Sequence, residues 1–225
     1  MKPADAIQDL QYFGEFGGIN PSISDASTYT FLSAKTMFDT FEGNADGCYL
    51  YSRHSSPSNL YLGEALAAME GTETSNVFAS GMGAISAVIM QLCSAGDHIV
   101  SSRTIYGGTY AFLKNFTPKL EIQTSFVDIT DIKLVEAAIS KNTKILYLES
   151  ISNPLLEVAN IAALSKLAKK YKLQLAKLNF HRASSARAEG TRQILAQNVI
   201  KATHQNFRFR VPRHSIMASV HRIVM

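Results

Sequence analysis

Beyond residue 76 the chain alternates between short apolar runs, often β-branched, and longer stretches whose apolar residues recur at helical spacing. The runs at 76–79, 98–102, 121–127, 144–149 and 172–176 predict strands, and the segments 83–94, 108–116, 131–140 and 160–171 predict helices. Helices of about ten residues between such strands imply βαβ units and a mainly parallel sheet, an α/β fold. Gly96 stands where a helix would be capped, and Asp97, His98 and Lys144 flank strand starts. Ahead of this region, 57–70 predicts a further helix. Ser56 stands as its cap, Pro57 in its first turn, Leu60, Leu62, Leu66 and Met69 among its apolar positions, and Gly71 at its stop. Residues 1 to about 50 mix glycine, serine and scattered aromatics, as in Tyr12-Phe13-Gly14-Glu15-Phe16-Gly17-Gly18. They read as an extended arm with short helical pieces, one of them over 31–41. An arm this aromatic is expected to pack on another surface, such as a partner subunit.

In a parallel sheet, ligands bind beyond the carboxyl ends of the strands. Here those ends carry Ser80, Tyr106, Asp128, Glu149-Ser150 and Asn153-Pro154. The stretch Ala79-Ser80-Gly81-Met82-Gly83 joins a strand signal to a helix start. The free N–H groups of a first helical turn converge there, and the helix dipole adds roughly half a positive charge, which suits an anion such as phosphate. A Ser-Gly-x-Gly turn is also common as plain punctuation between elements. Upstream, Tyr51 and Arg53 lie two apart in an extended segment and so point to one side. A guanidinium beside a phenol suits phosphate oxygens, although the same pair is equally an ordinary surface feature.

Composition narrows the class. The 225 residues suffice for one large domain or two small ones. No run approaches the roughly 18 apolar residues of a membrane span, and Met1 to Ala6 show no apolar signal core, so a cytoplasmic protein is expected. Cys48 and Cys93 are too few for a metal cluster or disulfide framework, so no metal is expected. The net charge of +4 averages two unlike regions. Residues 1–176 hold 13 Lys+Arg against 17 Asp+Glu, whereas residues 177–225 hold 9 against the single acid Glu189. That basic tail, with Arg208 and Arg210 interleaved with Phe207 and Phe209, reads as a poorly ordered extension. Its alternative is a polyanion-binding segment, and a helix is expected over 189–204.

Five motifs occur together and in order: Tyr51-Ser52-Arg53; the run from Leu66 to Gly71; Ser80-Gly81-Met82-Gly83-Ala84-Ile85; Tyr106-Gly107-Gly108-Thr109; and Glu149-Ser150-Ile151-Ser152-Asn153-Pro154. In them the chain resembles, over residues 1 to about 175, the Cys/Met-metabolism enzymes that depend on pyridoxal 5'-phosphate, among them methionine γ-lyase, cystathionine γ-lyase and cystathionine γ-synthase. The resemblance implies the aspartate-aminotransferase type of fold (PLP fold type I), here as a truncated large domain. It divides the chain into an arm at 1–56 that packs on a partner subunit, a partial cofactor domain at 57–176, and the atypical tail at 177–225. It implies that Ser80, Gly81 and Met82 cradle the cofactor phosphate, with Gly83 starting the helix behind. Tyr51 and Arg53 would reach the phosphate of a neighbouring subunit's cofactor. Tyr106 would stack on the pyridine ring and relay protons, and Asn153 would bond the phenolic oxygen, with Glu149 beside it as a further cofactor-binding candidate. The substrate would be a sulfur-containing amino acid such as methionine, cystathionine or homocysteine, undergoing γ-elimination or γ-replacement in a homo-oligomer, with no specific nucleic acid and no membrane. Position 108 is Gly where methionine γ-lyases often carry Cys, and Ser56 replaces the more usual Asn before the proline.

After Tyr171-Lys172-Leu173-Gln174-Leu175 the family strand runs Val-Val-Asp-Asn-Thr, and its Asp pairs with the pyridine nitrogen. This chain reads Ala176-Lys177-Leu178-Asn179-Phe180. The Ser-x-x-Lys segment with the Schiff-base lysine is not found, nor is a C-terminal domain with an arginine for the substrate carboxylate. The expectation is therefore divided. One reading is a carbon–sulfur lyase or transferase by family; the other is a non-catalytic truncated or frame-shifted fragment whose basic tail binds polyanions non-specifically. Lys177 and Lys201 are the tail lysines to test.

Overall fold

Strands that are covered on both faces need apolar residues at successive positions, which is why the runs beyond residue 76 scarcely alternate. The computed structural model describes residues 18–178 apart from 46 and 73. The described chain divides after Asn76 into two units. The first 17 residues, the helix expected at 189–204 and the basic tail beyond 178 lie outside the described residues.

In the first unit, α1 (Ala34–Phe41) is capped by Ser33, whose Oγ accepts from the Thr36 N–H at 3.1 Å. Helix α2 (Pro57–Glu70) begins and ends where the sequence indicates. Ser56 Oγ accepts from the Asn59 N–H (3.3 Å), and Gly71 closes the helix in the left-handed region at φ 61°. Arg53 lies over the Tyr51 ring at 4.8 Å from its centroid, so the two side chains do share one side.

Among the described residues, the second unit holds a four-stranded sheet, all parallel, in the order β2-β1-β3-β4. Its strands are β1 (His98–Ser102), β2 (Gln123–Val127), β3 (Thr143–Glu149) and β4 (Gln174–Leu178). One face packs Ile99, Ile145, Tyr147, Ala176 and Leu178 against Ile85 and Ile89 of α3 (Gly81–Leu92) and Leu113. The other packs Val100, Leu146, Leu148 and Leu175 against α5 (Ile132–Ala137) and α6 (Ile161–Lys170). Asp131 and Asn160 cap these two helices from their side chains.

Several boundaries differ from the expectation, each for a backbone reason. Residues 76–79 form no strand, because no described segment pairs with them and an unpaired run cannot satisfy its amides as a ladder would. The helix expected at 108–116 is instead a short α4 (Gly107–Ala111), a π turn over Phe112–Phe116 and a 3-10 turn over Thr117–Leu120. Pro118 lacks the N–H that would continue an α-helix. Glu121 then takes a left-handed φ of 59°, so β2 starts at Gln123 rather than 121. Lys172 does the same at φ 57°, which moves β4 from 172–176 to Gln174–Leu178.

Candidate functional site

The chain leaving β1 returns to β2 on one side, whereas the chain leaving β3 goes to β4 on the other. The gap between the carboxyl ends of β1 and β3 is therefore a topological switch point, where open α/β sheets bind ligands. Tyr106 closes the loop after β1 at the start of α4, and Asn153 lies in the loop after β3. Glu149 spans the gap. Its Oε1 accepts from the Tyr106 N–H at 2.9 Å, and the Asn153 N–H also favours its ionised form. The carboxyl is only 2% exposed, and burial holds its pKa above the ordinary value against those two donors.

Among the described residues, two polar atoms on this face have no hydrogen-bond partner, Glu149 Oε2 and the hydroxyl of Tyr147 two residues earlier. Thr109 Oγ1 approaches Tyr147 but donates to Met82 Sδ (3.7 Å). Burial first, and the neighbouring Glu149 charge second, push the Tyr147 hydroxyl upward. The Thr109–Met82 contact also brings the first turn of α3 beside α4. Ser80, Gly81, Met82, Tyr106 and Glu149 thus lie near one edge of the sheet.

Ser80 is the N-cap of α3, its Oγ accepting from the Gly83 N–H at 3.0 Å. The helix begins at Gly81 rather than at Gly83. A Cβ on Gly83 would stand 3.0 Å from Ser80 Oγ, so glycine leaves room for the cap. Gly81 and Met82 offer first-turn N–H groups outward. The Tyr106 ring is 45% exposed, and a Cβ at Gly108 would meet its Cε1 at 2.6 Å. The ring occupies space that any side chain at 108 would take.

The loops are also tied at their outer side. Thr104 Oγ1 donates to Glu157 Oε2 at 2.7 Å, and Arg103 lies 2.7 Å from Asp128 and 3.9 Å from Glu157. Hydrogen bonds from Thr130, with the Arg103 guanidinium beyond them, hold the Asp128 carboxyl below its ordinary range. Arg103, Thr104 and Glu157 were not singled out by the sequence. Their signal was position alone, directly after one strand and within an apolar loop.

The fit to pyridoxal phosphate divides along the cofactor's length. A free helix N-terminus, an exposed aromatic ring and Asn153, exposed in the neighbouring loop, suit the phosphate and the ring face. The third residue after Leu175 is Leu178, in register with Glu149 and 2% exposed, so an apolar side chain stands where a ring-nitrogen acid is expected. Lys177 alternates onto the other face, with Leu175 and its register partner Leu148. Lys201 lies outside the described residues. No cluster of metal-ligating side chains occurs among the described residues, and no described helix is long and apolar enough to cross a membrane.

Comparison with known proteins identifies the family. Residues 5–179 match the family described as Cys/Met metabolism PLP-dependent enzyme. A methionine gamma-lyase of Arabidopsis thaliana is 46% identical over 172 residues, covering 74% of this chain and 39% of that enzyme. An O-succinylhomoserine sulfhydrylase of Pseudomonas aeruginosa is 38% identical over 155 residues, covering 69% of this chain and 38% of that enzyme. Among solved structures, a putative O-acetylhomoserine (thiol)-lyase from Campylobacter jejuni, which carries a pyridoxyl-lysine phosphate, superposes with a TM-score of 0.73. It is 30% identical, and the match covers 79% of this chain and 44% of that one. The chain thus spans about two fifths of the length of its curated relatives, and its parallel sheet is part of a PLP fold type I large domain. With three quarters of its length matched by a family model and the switch-point residues in order, the chain belongs to the Cys/Met-metabolism PLP-dependent enzymes.

Proposed function

We propose that this chain is the cofactor-cradling portion of a carbon–sulfur lyase or γ-replacement enzyme acting on a sulfur-containing amino acid. The observation that carries the reading is the meeting of the α3 N-terminus, Tyr106 and the Asn153 loop at the switch point. Ser80, Gly81 and Met82 hold the phosphate, Tyr106 covers the ring face, and Asn153 bonds the phenolic oxygen. Tyr51 and Arg53 of a second copy complete the phosphate site, which agrees with the exposure of Met37, Phe38 and Phe41 in the first unit. When bound, pyridoxal phosphate supplies the electron sink for breaking bonds at the amino acid's side-chain carbons.

A second reading concerns turnover, and Leu178 favours it. With no acid at the ring nitrogen and Lys177 on the far face, this chain by itself holds the cofactor without driving the reaction. Titration with pyridoxal phosphate should show weak, saturable binding. Methionine, cysteine and cystathionine should yield no thiol, ammonia or 2-oxo acid. Borohydride reduction followed by peptide mapping tests Lys177 and Lys201. A stoichiometric adduct on either, accompanied by turnover, overturns the second reading, and no saturable binding overturns the first. Light scattering should find dimers or larger species, and a compact monomer would remove the trans role of Tyr51 and Arg53.

A further inference from the structure

The ladder between β1 and β3 ends at Ser101 opposite Tyr147. Beyond it the two chains part toward opposite faces of the sheet, and each carries one of the residues expected to grip the cofactor ring. Nothing in the sheet's own hydrogen bonding fixes the distance between them. We propose that Glu149 is the positioning residue that does so, its buried carboxylate holding the Tyr106 and Asn153 amides and thereby the spacing of ring and side chain.

Three observations carry this. The Tyr106 N–H donates to Glu149 Oε1 at 2.9 Å, and the Asn153 N–H lies near enough to favour the charged form of the same carboxyl. Both contacts are to backbone, so they place the residues themselves rather than one rotamer. The outer tie, Thr104 to Glu157 at 2.7 Å with Arg103 at 3.9 Å, joins the same loops but acts two residues before Tyr106 and four after Asn153. Finally, Glu149 is a costly residue for a merely structural post. It buries a carboxylate whose Oε2 has no hydrogen-bond partner among the described residues, and buried polar atoms left so are few in native proteins. The charge-assisted bond to the Tyr106 amide, with the Asn153 amide close by, is what the cost sustains. Glu149 accordingly works through Tyr106 and Asn153 and does not touch the cofactor, which refines its place among the candidate contacts and rests on the function proposed above.

The test compares the full chain with Glu149→Gln, Glu149→Asp and Glu149→Ala, reading amide hydrogen exchange at Tyr106 and Asn153 and affinity for pyridoxal phosphate. Glu149→Gln keeps an oxygen acceptor and should hold both amides within about threefold of the parent. Glu149→Ala should speed exchange at both together by about tenfold or more and weaken cofactor binding by a similar factor, the worth of roughly one lost hydrogen bond. The amides of His98 to Ser102 should not change. Should the alanine variant fail to fold, Glu149→Asp, one methylene shorter, is expected to release both amides in a folded chain. Release of only one amide overturns the proposal, as does equal release across β1. Cofactor loss in Glu149→Gln with both amides still protected also overturns it, because the charge would then act on the ligand directly. If the parent chain binds no pyridoxal phosphate, the proposed function falls, and the exchange measurements alone decide the role of Glu149.

Discussion

Gly108 lies under the Tyr106 ring so closely that a Cβ would come within 2.6 Å of Cε1. The obstruction is the far end of a flexible side chain, so Gly108→Ala should leave stability within about 1 kcal/mol while displacing the ring. Affinity for pyridoxal phosphate should fall several-fold in titration with denaturation midpoints nearly unchanged; unchanged affinity would show that this ring position does not matter. His98 makes a second residue-level case at the opposite end of the sheet. His98 Nδ1 lies 2.8 Å from Thr143 Oγ1 and Nε2 lies 3.0 Å from Ser125 Oγ, so a neutral ring can donate to one hydroxyl and accept from the other. The ring is neutral in this arrangement, and burial lowers its pKa. A base with a depressed folded pKa is protonated first in the unfolded chain. Its stabilising contribution is therefore complete above about pH 6.5 and shrinks as pH falls below that value. Urea midpoints at pH 7.5 and 5.5 should differ more for the parent than for His98→Gln, and equal differences would refute the assignment. The two pairings of His98 were not legible beforehand, because each depends on which strands are neighbours.

At the level of elements, the clearest signals were caps. Ser56, Pro57 and Gly71 fixed α2 at both ends, since each satisfies or stops backbone hydrogen bonding by its own chemistry. Segment 76–79 misled because apolar character does not supply a partner strand, and the left-handed Glu121 and Lys172 were invisible because neither is a residue that favours that region. Ser80 caps α3, a role the sequence did not announce, and is also the proposed phosphate contact. Ser80→Ala should cost about 1 kcal/mol through the lost bond to the Gly83 N–H, and should weaken phosphate binding as well. Ser80→Asp keeps a cap and suits the helix dipole, so stability should match the parent, but its charge repels an anion. Thermal denaturation with phosphate and pyridoxal phosphate titrations of both variants distinguishes the effects. If the aspartate variant binds either anion as well as the parent, phosphate does not sit at this helix end.

For the whole molecule, strand order decides which strand-end residues meet. The residue types at the strand ends were readable from the sequence, since parallel sheets present their ligands there. That Glu149 would join Tyr106 was not, because it requires β1 and β3 to be adjacent although β2 lies between them in the chain. The same adjacency logic puts Leu178 level with Glu149 on the face packed against α3, in the position the family strand gives to an acid. Leu178→Asp should therefore be unfavourable alone, adding a second buried carboxyl near one whose Oε2 already lacks a partner, at roughly 2–4 kcal/mol. A protonated pyridine nitrogen at the switch point would offset that charge. Pyridoxal phosphate should then raise the melting temperature of Leu178→Asp by more than it raises that of the parent, through preferential binding to the folded state. Pyridoxal phosphate and inorganic phosphate should differ in this respect, since only the former brings a ring nitrogen. Equal shifts in parent and variant would mean that the ring does not reach residue 178, and the cofactor's orientation at this edge would have to be redrawn.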